Sequence, residues 1–538
     1  MSLARSLIAG VTLVVVSLSP ALAASPAEVQ KRFEAEGGGI LHVGERWVDL
    51  AQLRDIYRQR GYRLMWSGAA EPLADQLLME VQAMAVAEGL VAEAYAIPAT
   101  GSDLDHDLLV TDALLRFGRD IAAGRVAPSR AFGGLGPDTR PAFTQQALLQ
   151  RLSSRASFTA FLQQYLPSYA GYVRLKNALH RYRQLARAGG WPRIPEGPSV
   201  KPGMEDDRVP LLRRRLITTG ELAAEFSEGQ ALDEPLVEAL KRFQGRHGLD
   251  EDGALGPRTL MTLNVTVEER LRQMVVNLER WRWMPRTLEA SHVAVNVAGA
   301  TLELVENGTP AMAMRVVVGD TKHPTPNFTA PMASLVVNPP WSVPPSIATK
   351  EVLPKLRRDR KYLASQNLRI TAYPEDSPEA VGEGVDWDQI ASDGVFPYRL
   401  RQPPGPDNAL GRLKFNLQGT DAIYLHDTPQ RKAFGKANRA LSHGCVRVEK
   451  PLELAERLLG SNWQGKLAET IDEKATRTLK MERSIQVYLL YWTAWAEPDG
   501  TVQFRDDLYG HDTRLRAALR KARTQPPQMA QQQPPGTL

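Results

Sequence analysis

The stretch HVAVNVAGATLELVENGTPAMAMRVVVGD, residues 292–320, marks the point where the chain changes from helical to strand-like patterning. Apolar residues alternate with others in three short runs, and Gly or Asn ends each run, as in half-buried strands joined by turns. Strand-like runs resume at Leu413, and residues 485–507 have the pattern of a closing hairpin with EPDG as its turn. We therefore predict a mostly-β domain that begins near this stretch.

Upstream of these strands the chain has helical periodicity from about residue 41 to residue 187. In ADQLLMEVQAMAVAEGL (74–90) and YVRLKNALHRYRQLARAGGWP (172–192), apolar residues recur near helical spacing, and a Gly-Gly pair ends the second segment. We predict a helical scaffold domain over residues 24–200. The Pro- and Gly-rich stretch 191–204, which leads from this domain into the next, has the composition of a linker.

A compact helical unit follows in PLVEALKRFQGRHGLDEDGALGPRTLMTLN, residues 235–264. Pro257 stands where a helix would begin after the turn-rich loop. Asp250 and Asp252 are expected to be loop and cap residues, because the remaining acidic ligands of a calcium loop are missing. The pattern resembles the peptidoglycan-binding module that precedes many wall enzymes, so we predict a three-helix module at residues 201–266.

The N-terminal 23 residues have the pattern of a secretory signal peptide: a short basic start, an apolar run, and small residues up to Ala23. The apolar run is shorter than the roughly 20 residues that span a bilayer, so a membrane anchor is the less favoured alternative. We predict cleavage near Ala23, a periplasmic location and no stable membrane span. The net charge of +5 is not gathered in a basic arm, which argues against a nucleic-acid partner.

Two further segments are defined by composition. Residues 346–406 form a long, polar, proline-bearing connection between strands, and a connection of this length inside one domain is usually functional, so we predict a lid. The predicted β domain then covers residues 267–475, with closing strands at 476–523. Residues 524–538 are rich in Gln and Pro and are expected to be a disordered tail.

The chain contains one cysteine, Cys445, within LSHGCVRV at residues 441–448. Exported proteins usually pair their cysteines, so a single thiol is either a small buried apolar group or a reactive group. A reactive thiol needs a base that ionises it, a group that orients the base, and donors for an oxyanion. His426 and His443 are the candidate bases, and the N–H groups of His443, Gly444 and Cys445 are candidate oxyanion donors. A zinc site built from two histidines and the cysteine remains an alternative, as does a merely buried thiol.

His426, then fifteen intervening residues, then Ser442-His443-Gly444-Cys445, resembles the signature of the YkuD-type L,D-transpeptidases: His, a short spacer, then Ser/Thr-His-Gly-Cys. The resemblance extends over residues 41–520. It is carried by further stretches, which are LERWRWMP (278–285), VVVGDTKHPTPNF (316–328), VVNPPWSVPPSIATKEVLP (336–354), NALGRLKFNL (408–417) and GGWPRIPEG (189–197).

The resemblance implies a multidomain α+β protein with a helical scaffold, a peptidoglycan-binding module and a YkuD-like catalytic domain with a lid. It implies that Cys445 attacks the carbonyl of the third residue of a peptidoglycan stem, releases D-Ala, and passes the acyl group to an amine of another stem. The product would be a 3→3 cross-link, and carbapenem-type β-lactams would acylate the same thiol. His426 would be the base, oriented by the backbone carbonyl of Asp427. The resemblance implies neither a cofactor nor a metal.

Other positions are predicted to bind substrate. Ser442, His443 and Gly444 would form the oxyanion loop. Arg447 stands where the family often has Asn, and its guanidinium would suit a substrate carboxylate. Trp341 would line the donor site or belong to a core.

Three other functions stay open at this point. Water instead of an amine would make the enzyme an L,D-carboxypeptidase. The acceptor amine would otherwise belong to a lipoprotein or a free D-amino acid. A non-catalytic wall-binding scaffold is the alternative outside enzymes. The expected partners are donor and acceptor stem peptides and other cell-wall synthases, in a role in wall biogenesis and cell shape.

Overall fold

The computed structural model describes residues 24–35, 39–43, 46–67, 70–128, 158–372, 386–390, 396, 398–420 and 422–524. The predicted signal peptide, and the predicted tail beyond Thr524, lie outside the described residues. In the part of the chain that is described, we find no helix with the length and apolar character needed to cross a bilayer.

The N-terminal region is helical, as predicted, and most of it packs around one apolar core. Its helices are α1 (Pro26–Ala35), α2 (Leu50–Gln59), α3 (Glu71–Ala87), α4 (Asp103–Ala123), α5 (Phe158–Gln163) and α6 (Ala170–Arg187). One difference is a hairpin of β1 (Ile40–Val43) and β2 (Arg46–Asp49), at the start of the stretch predicted to be helical. Leu41 and Val43 of β1 are buried and the residue between them is exposed, which is the two-residue period of a strand. The longer helical pattern of the surrounding sequence had obscured this short alternation.

A second small core lies in the predicted binding module, inside helices α7 (Val209–Thr219), α8 (Glu234–Arg246) and α9 (Pro257–Leu263). Helix α9 begins at the proline, as the sequence predicts. Asp252 accepts hydrogen bonds from the Gln244 side chain at 2.7 Å and from the Ala254 N–H at 2.9 Å. This aspartate therefore holds the loop between α8 and α9.

Helix α10 (Val267–Trp281) lies at the predicted start of the β domain, but it packs against α6 of the scaffold. The amphipathic helix buries Met274 and Leu278 in a core to which α6 contributes Leu175 and Leu179. The segment that leads into the first strand of the β domain is therefore held against the scaffold domain.

The β domain is built on one nine-stranded sheet that closes on itself. The strands are β3 (His292–Asn296), β4 (Thr301–Glu306), β5 (Thr309–Gly319), β6 (Phe328–Val337), β10 (Leu413–Leu417), β11 (Leu425–His426), β12 (Ala440–Ser442), β13 (Val446–Val448) and β14 (Arg477–Leu490). In spatial order the sheet runs β12-β5-β13-β11-β10-β6-β14-β3-β4, and β4 also pairs with β5. Helices Pro451–Leu459 and Lys466–Asp472 contribute to the same apolar core.

The predicted lid is a folded unit with its own core rather than an irregular loop. Strands β7 (Trp341–Ser342), β8 (Arg369–Ala372) and β9 (Tyr398–Gln402) form a three-stranded sheet in the order β7-β9-β8. A continuous helical stretch, here called the lid helix, comprises Pro345–Ile347, the π-helical turn Ala348–Val352, and Leu353–Arg358. Its buried residues Val352, Leu353 and Leu356 share one apolar core with Ile370 and Leu400 of the sheet.

The predicted closing hairpin is shorter than expected. Its first part belongs to β14, a fourteen-residue strand that pairs with both β6 and β3 inside the main sheet. The hairpin itself is β15 (Ala494–Ala496) and β16 (Val502–Phe504), and its turn falls at the predicted residues, where the Gly500 N–H donates to the Glu497 carbonyl at 2.9 Å. Helix His511–Thr524 follows.

The binding module is docked on this hairpin by two arginines. The Arg246 guanidinium of α8 donates to the Val502 carbonyl at 3.1 Å, and Arg505 donates to the Arg246 carbonyl at 2.9 Å. The stretch predicted to be a linker is also held, because Asn264 hydrogen-bonds both backbone groups of Ile194, at 2.8 and 2.9 Å. The module is therefore fixed against the rest of the chain.

Candidate active site

Two paired strands bring the histidine of the motif and the cysteine to one face of the sheet. Strands β11 and β13 run parallel and pair Leu425 with Val446 and His426 with Arg447. Side chains two residues apart on a strand point to the same face. One face of these paired strands therefore carries Tyr424, His426, Cys445 and Arg447.

The loop before Cys445 is held by hydroxyl groups. Buried Ser442 donates from Oγ to the Cys445 carbonyl at 2.6 Å and accepts from the Gly444 N–H at 3.2 Å. Thr325 donates to the Gly444 carbonyl at 2.7 Å. Gly444 has φ +108°, which favours glycine. Because its N–H is engaged by Ser442, two of the three predicted oxyanion donors remain, the N–H groups of His443 and Cys445.

The Cys445 thiol is protonated at rest. Its Sγ donates to the Ala422 carbonyl at 3.5 Å. Burial raises the pKa of the thiol above its ordinary value, while hydrogen bonds with Tyr424 and the charges of Lys414 and Arg447 act in the opposite direction. The sequence led us to expect a thiol ionised by a neighbouring imidazole, but Cys445 is not a thiolate in the resting site.

The His426 imidazole is buried and neutral. Its Nδ1 lies 2.6 Å from the Asp427 carbonyl oxygen. Because a carbonyl oxygen can only accept a hydrogen bond, Nδ1 carries the proton and Nε2 of the neutral ring has a free lone pair. Burial, together with the charges of Arg447 and Lys414, lowers the pKa of His426 to about 3. The role of this imidazole as the base stays a prediction.

Among the described residues, no hydrogen bond joins the thiol to the imidazole. The two groups occupy diagonal positions on neighbouring strands, because Cys445 precedes the residue paired with Leu425. The thiol proton points to Ala422 instead, and rotation of the cysteine side chain about χ1 would redirect it. Contacts of this kind often tighten when substrate binds.

Tyr424 and Lys414 were missed by the sequence reasoning. The Tyr424 ring lies 5.6 Å from the His426 ring, and Lys414 Nζ lies 4.4 Å from the centre of the tyrosine ring. Burial raises the pKa of Tyr424, as do the charge of Cys445 and the hydrogen bond with it. Tyr424 stands two residues before His426 in AIYLH, so strand alternation was the signal that would have found it.

Arg447 has one engaged end and one unpaired donor. Its Nη1 donates to the Gln430 side chain at 2.7 Å. Its Nε is buried and has no hydrogen-bond partner among the described residues. A buried, unpaired guanidinium N–H on the thiol's face suits the predicted contact with a substrate carboxylate.

His443 and Trp341 are linked to the lid. His443 Nε2 hydrogen-bonds the Glu351 carboxylate of the lid helix, and its ring centre lies 4.6 Å from that of His323. Trp341 lies in β7, partly buried against the lid core, and its role at a donor site stays a prediction.

We expect Tyr424→Phe to make the thiol harder to ionise. The variant removes the phenol hydrogen bond that lowers the Cys445 pKa. A hydrogen bond to a charged group contributes about 1.5–3 kcal/mol, which corresponds to about one pKa unit or more. The rate of iodoacetamide alkylation, followed by intact mass against pH, should shift its midpoint upward by about that amount. Tyr488→Phe, at a buried tyrosine that bonds Glu289 instead, is the matched control, and an unshifted midpoint in Tyr424→Phe would contradict the contact.

Three protein families match the chain. The YkuD family, described as "L,D-transpeptidase catalytic domain", matches residues 290–480. The family described as "Scaffold domain" matches residues 51–179, and "Putative peptidoglycan binding domain" matches residues 205–263. The three matches follow one another along the chain in the order scaffold domain, peptidoglycan-binding domain and YkuD catalytic domain.

One curated relative is a "Putative L,D-transpeptidase" of Haemophilus influenzae, 36% identical over 249 residues. The match covers 46% of this chain and 49% of the relative, so the chain spans about half the length of that relative. Solved structures are more distant. An L,D-transpeptidase from Mycobacterium smegmatis is 13% identical, with 37% of this chain and 58% of that chain covered and a TM-score of 0.18. One from Xylanimonas cellulosilytica is 15% identical, with 55% and 98% covered and a TM-score of 0.17.

The three matched domains, with a helical N-terminal region and a mostly-β domain, give the chain a multidomain α+β architecture, which confirms the predicted fold class. The motif around Cys445 lies within the residues that match the YkuD family, and the predicted resemblance to the YkuD-type L,D-transpeptidases is confirmed.

Proposed function

We propose that this protein forms 3→3 peptidoglycan cross-links by cysteine acyl transfer from a tetrapeptide stem. The observation that carries the proposal is the face shared by Cys445, Tyr424 and His426, with a neutral imidazole whose Nδ1–H is fixed on the Asp427 carbonyl. This arrangement provides a nucleophile, a base and a group that orients the base.

In the first half-reaction, His426 Nε2 takes the thiol proton as Sγ attacks the carbonyl of the third stem residue. The N–H groups of His443 and Cys445 stabilise the oxyanion. The bond to the terminal D-Ala then breaks, the imidazolium returns the proton to the leaving amine, and a thioester forms on Cys445. Because thiol and imidazole are both neutral at rest, the proton moves during attack instead of before it.

In the second half-reaction, an amine of a neighbouring stem attacks the thioester. His426 accepts the amine proton and returns it to the departing sulfur, so the enzyme regains its resting state. The thioester conserves the free energy of the broken amide, and no nucleotide is needed outside the cytoplasm.

Positive charge on the same face suits an anionic substrate. Arg447 offers its unpaired Nε, and Lys414 lies beside the Tyr424 ring. Both charges lower the pKa of the thiol and so stabilise the thiolate that develops during attack, and by opposing protonation of His426 they keep the base neutral at rest.

The peptidoglycan-binding domain and the lid helix are both suited to an enzyme that acts on the cell-wall polymer outside the cytoplasm. A peptidoglycan-binding domain would hold the enzyme on its substrate and raise the local concentration of stems. The lid helix, which contacts the catalytic loop through Glu351, would help exclude water that competes with the acceptor amine. We propose export to the periplasm, with the signal peptide removed near Ala23.

Incubation of the purified protein with disaccharide-tetrapeptide, followed by mass spectrometry, tests the proposal. We expect a dimer that has lost one D-Ala, since one stem acts as donor and another as acceptor. Conversion to disaccharide-tripeptide monomer would favour the L,D-carboxypeptidase instead. Incorporation of an added D-amino acid, without dimer, would favour the exchange reaction. If no new product forms while the protein still binds the wall polymer, the scaffold function is favoured.

A further inference from the structure

Three separate segments bring metal-binding side chains together beside the catalytic loop. His323 follows β5, Glu351 lies in the π-helical turn of the lid helix, and His443 lies two residues before Cys445. One ligand atom from each of the three lies within 4.8 Å of the other two. His323 and Glu351 are half-buried and His443 is exposed, so an ion would reach the group from solvent.

The donors are two imidazoles and one carboxylate, a set typical of Zn²⁺ with a fourth position left to water. Ligand atoms 2.0–2.2 Å from a tetrahedral ion lie about 3.4 Å apart. Small side-chain rotations would therefore close the observed spacing of up to 4.8 Å. His443 Nε2 and Glu351 already face each other in a hydrogen bond, and a bound ion would replace the proton between them.

A fourth side chain orients one of the ligands. Asp320 accepts from His323 Nδ1 at 3.1 Å, which leaves Nε2 of His323 as the nitrogen available to an ion. The same carboxylate accepts from the backbone N–H of Lys322 at 2.8 Å and of His323 at 2.7 Å, so it is itself held in place. A carboxylate behind a histidine is the usual outer partner of a metal-bound imidazole.

We propose that His323, Glu351 and His443 form a Zn²⁺ site that clamps the lid helix onto the catalytic loop. The site is distinct from the thiol chemistry, because Cys445 is not one of its ligands. It joins the lid core to the loop that carries the nucleophile, and it does not depend on which acceptor the enzyme uses.

Titration of the full-length protein with Zn²⁺ by calorimetry, and with Co²⁺ by visible absorption, tests the site. We expect one ion per chain and a Co²⁺ spectrum of a four-coordinate nitrogen and oxygen site. His323→Ala should weaken Zn²⁺ binding by at least about tenfold, and Asp320→Asn by about 10- to 100-fold. His180→Ala, at an exposed scaffold histidine that bonds Gln184, is the matched control and should change nothing.

Hydrogen exchange provides the structural test of the clamp. Zn²⁺ should slow exchange in the lid helix of the native protein and of Cys445→Ala, but not of His323→Ala. Absence of stoichiometric binding, or equal binding by native protein and His323→Ala, would leave Glu351 and His443 as a simple ion pair and overturn the proposal. Loss of binding in Cys445→Ala would assign the ion to the thiol and also overturn it.

Discussion

Cys445→Ala should abolish cross-linking in the disaccharide-tetrapeptide assay, with a loss of at least about 10³-fold in kcat. The thiol is the one cysteine of the chain, so no second sulfur would replace it as nucleophile. The substitution removes one sulfur atom from a half-buried position between β12 and β13 and leaves the hydrogen bonds of Ser442 to the loop backbone available. The thermal unfolding midpoint should therefore stay close to that of the native protein.

Intact-mass spectrometry with a carbapenem gives a second measurement on the same variant. The native protein should gain one adduct, and Cys445→Ala should gain none. Ser442→Ala is the matched control: it disturbs the same loop but keeps the sulfur, so it should still form the adduct, more slowly. Cross-linking that survives in purified Cys445→Ala would contradict the assignment of the nucleophile.

His426→Ala is expected to reduce kcat by about 10²–10⁴-fold, the usual contribution of general acid–base catalysis. Nε2 is the unprotonated nitrogen on the thiol's face, and the variant leaves no comparable acceptor on β11. His443→Ala should cost less than about tenfold, because the side chain makes only a partly exposed contact with Glu351, and such surface contacts contribute little. Equal or reversed losses would overturn the choice of base.

The pH profile separates a catalytic from a merely structural role of His426. An imidazole with an ordinary pKa of about 6.5 would lose about thirtyfold of its neutral form by pH 5. Burial lowers the pKa of His426 to about 3, so the base stays neutral and kcat/KM should vary by less than about twofold between pH 5 and pH 7. A fall centred near pH 6.5 would show that the active histidine titrates normally.

Much of the fold was predictable because its signals are local. Helix α9 begins at Pro257 and the last hairpin turns at EPDG, since these residues act through their own backbone preferences. The long partnership of β14 with β6 and β3 was not predictable, because it joins strands far apart in sequence. The lid was recognised as an insertion, but its core depends on side chains spread over 343–400, beyond the reach of periodicity.

In the candidate site, too, the features that depend on local sequence were predictable and those that depend on the fold were not. The motif placed His426 and Cys445 in the sequence, because both stand beside short, strongly patterned strands. Glu351 was missed: it contacts His443 across 92 residues of chain, and nothing near it in sequence marks it as a partner. The electrostatics also depend on the fold, since burial in the closed sheet, which raises the thiol pKa and lowers that of the imidazole, does not follow from spacing.

The docking of the three-helix module on the β15–β16 hairpin has a geometric consequence. Strand β14 ends four residues before β15, so the hairpin is a direct continuation of the sheet that carries the nucleophile. A glycan chain bound by α7–α9 would therefore lie at a fixed distance from Cys445 Sγ. The enzyme would prefer stem peptides at that distance from the bound glycan over nearer or farther ones. Because the module is docked on the hairpin, the range of stems that the thiol can attack would not depend on the flexibility of a linker.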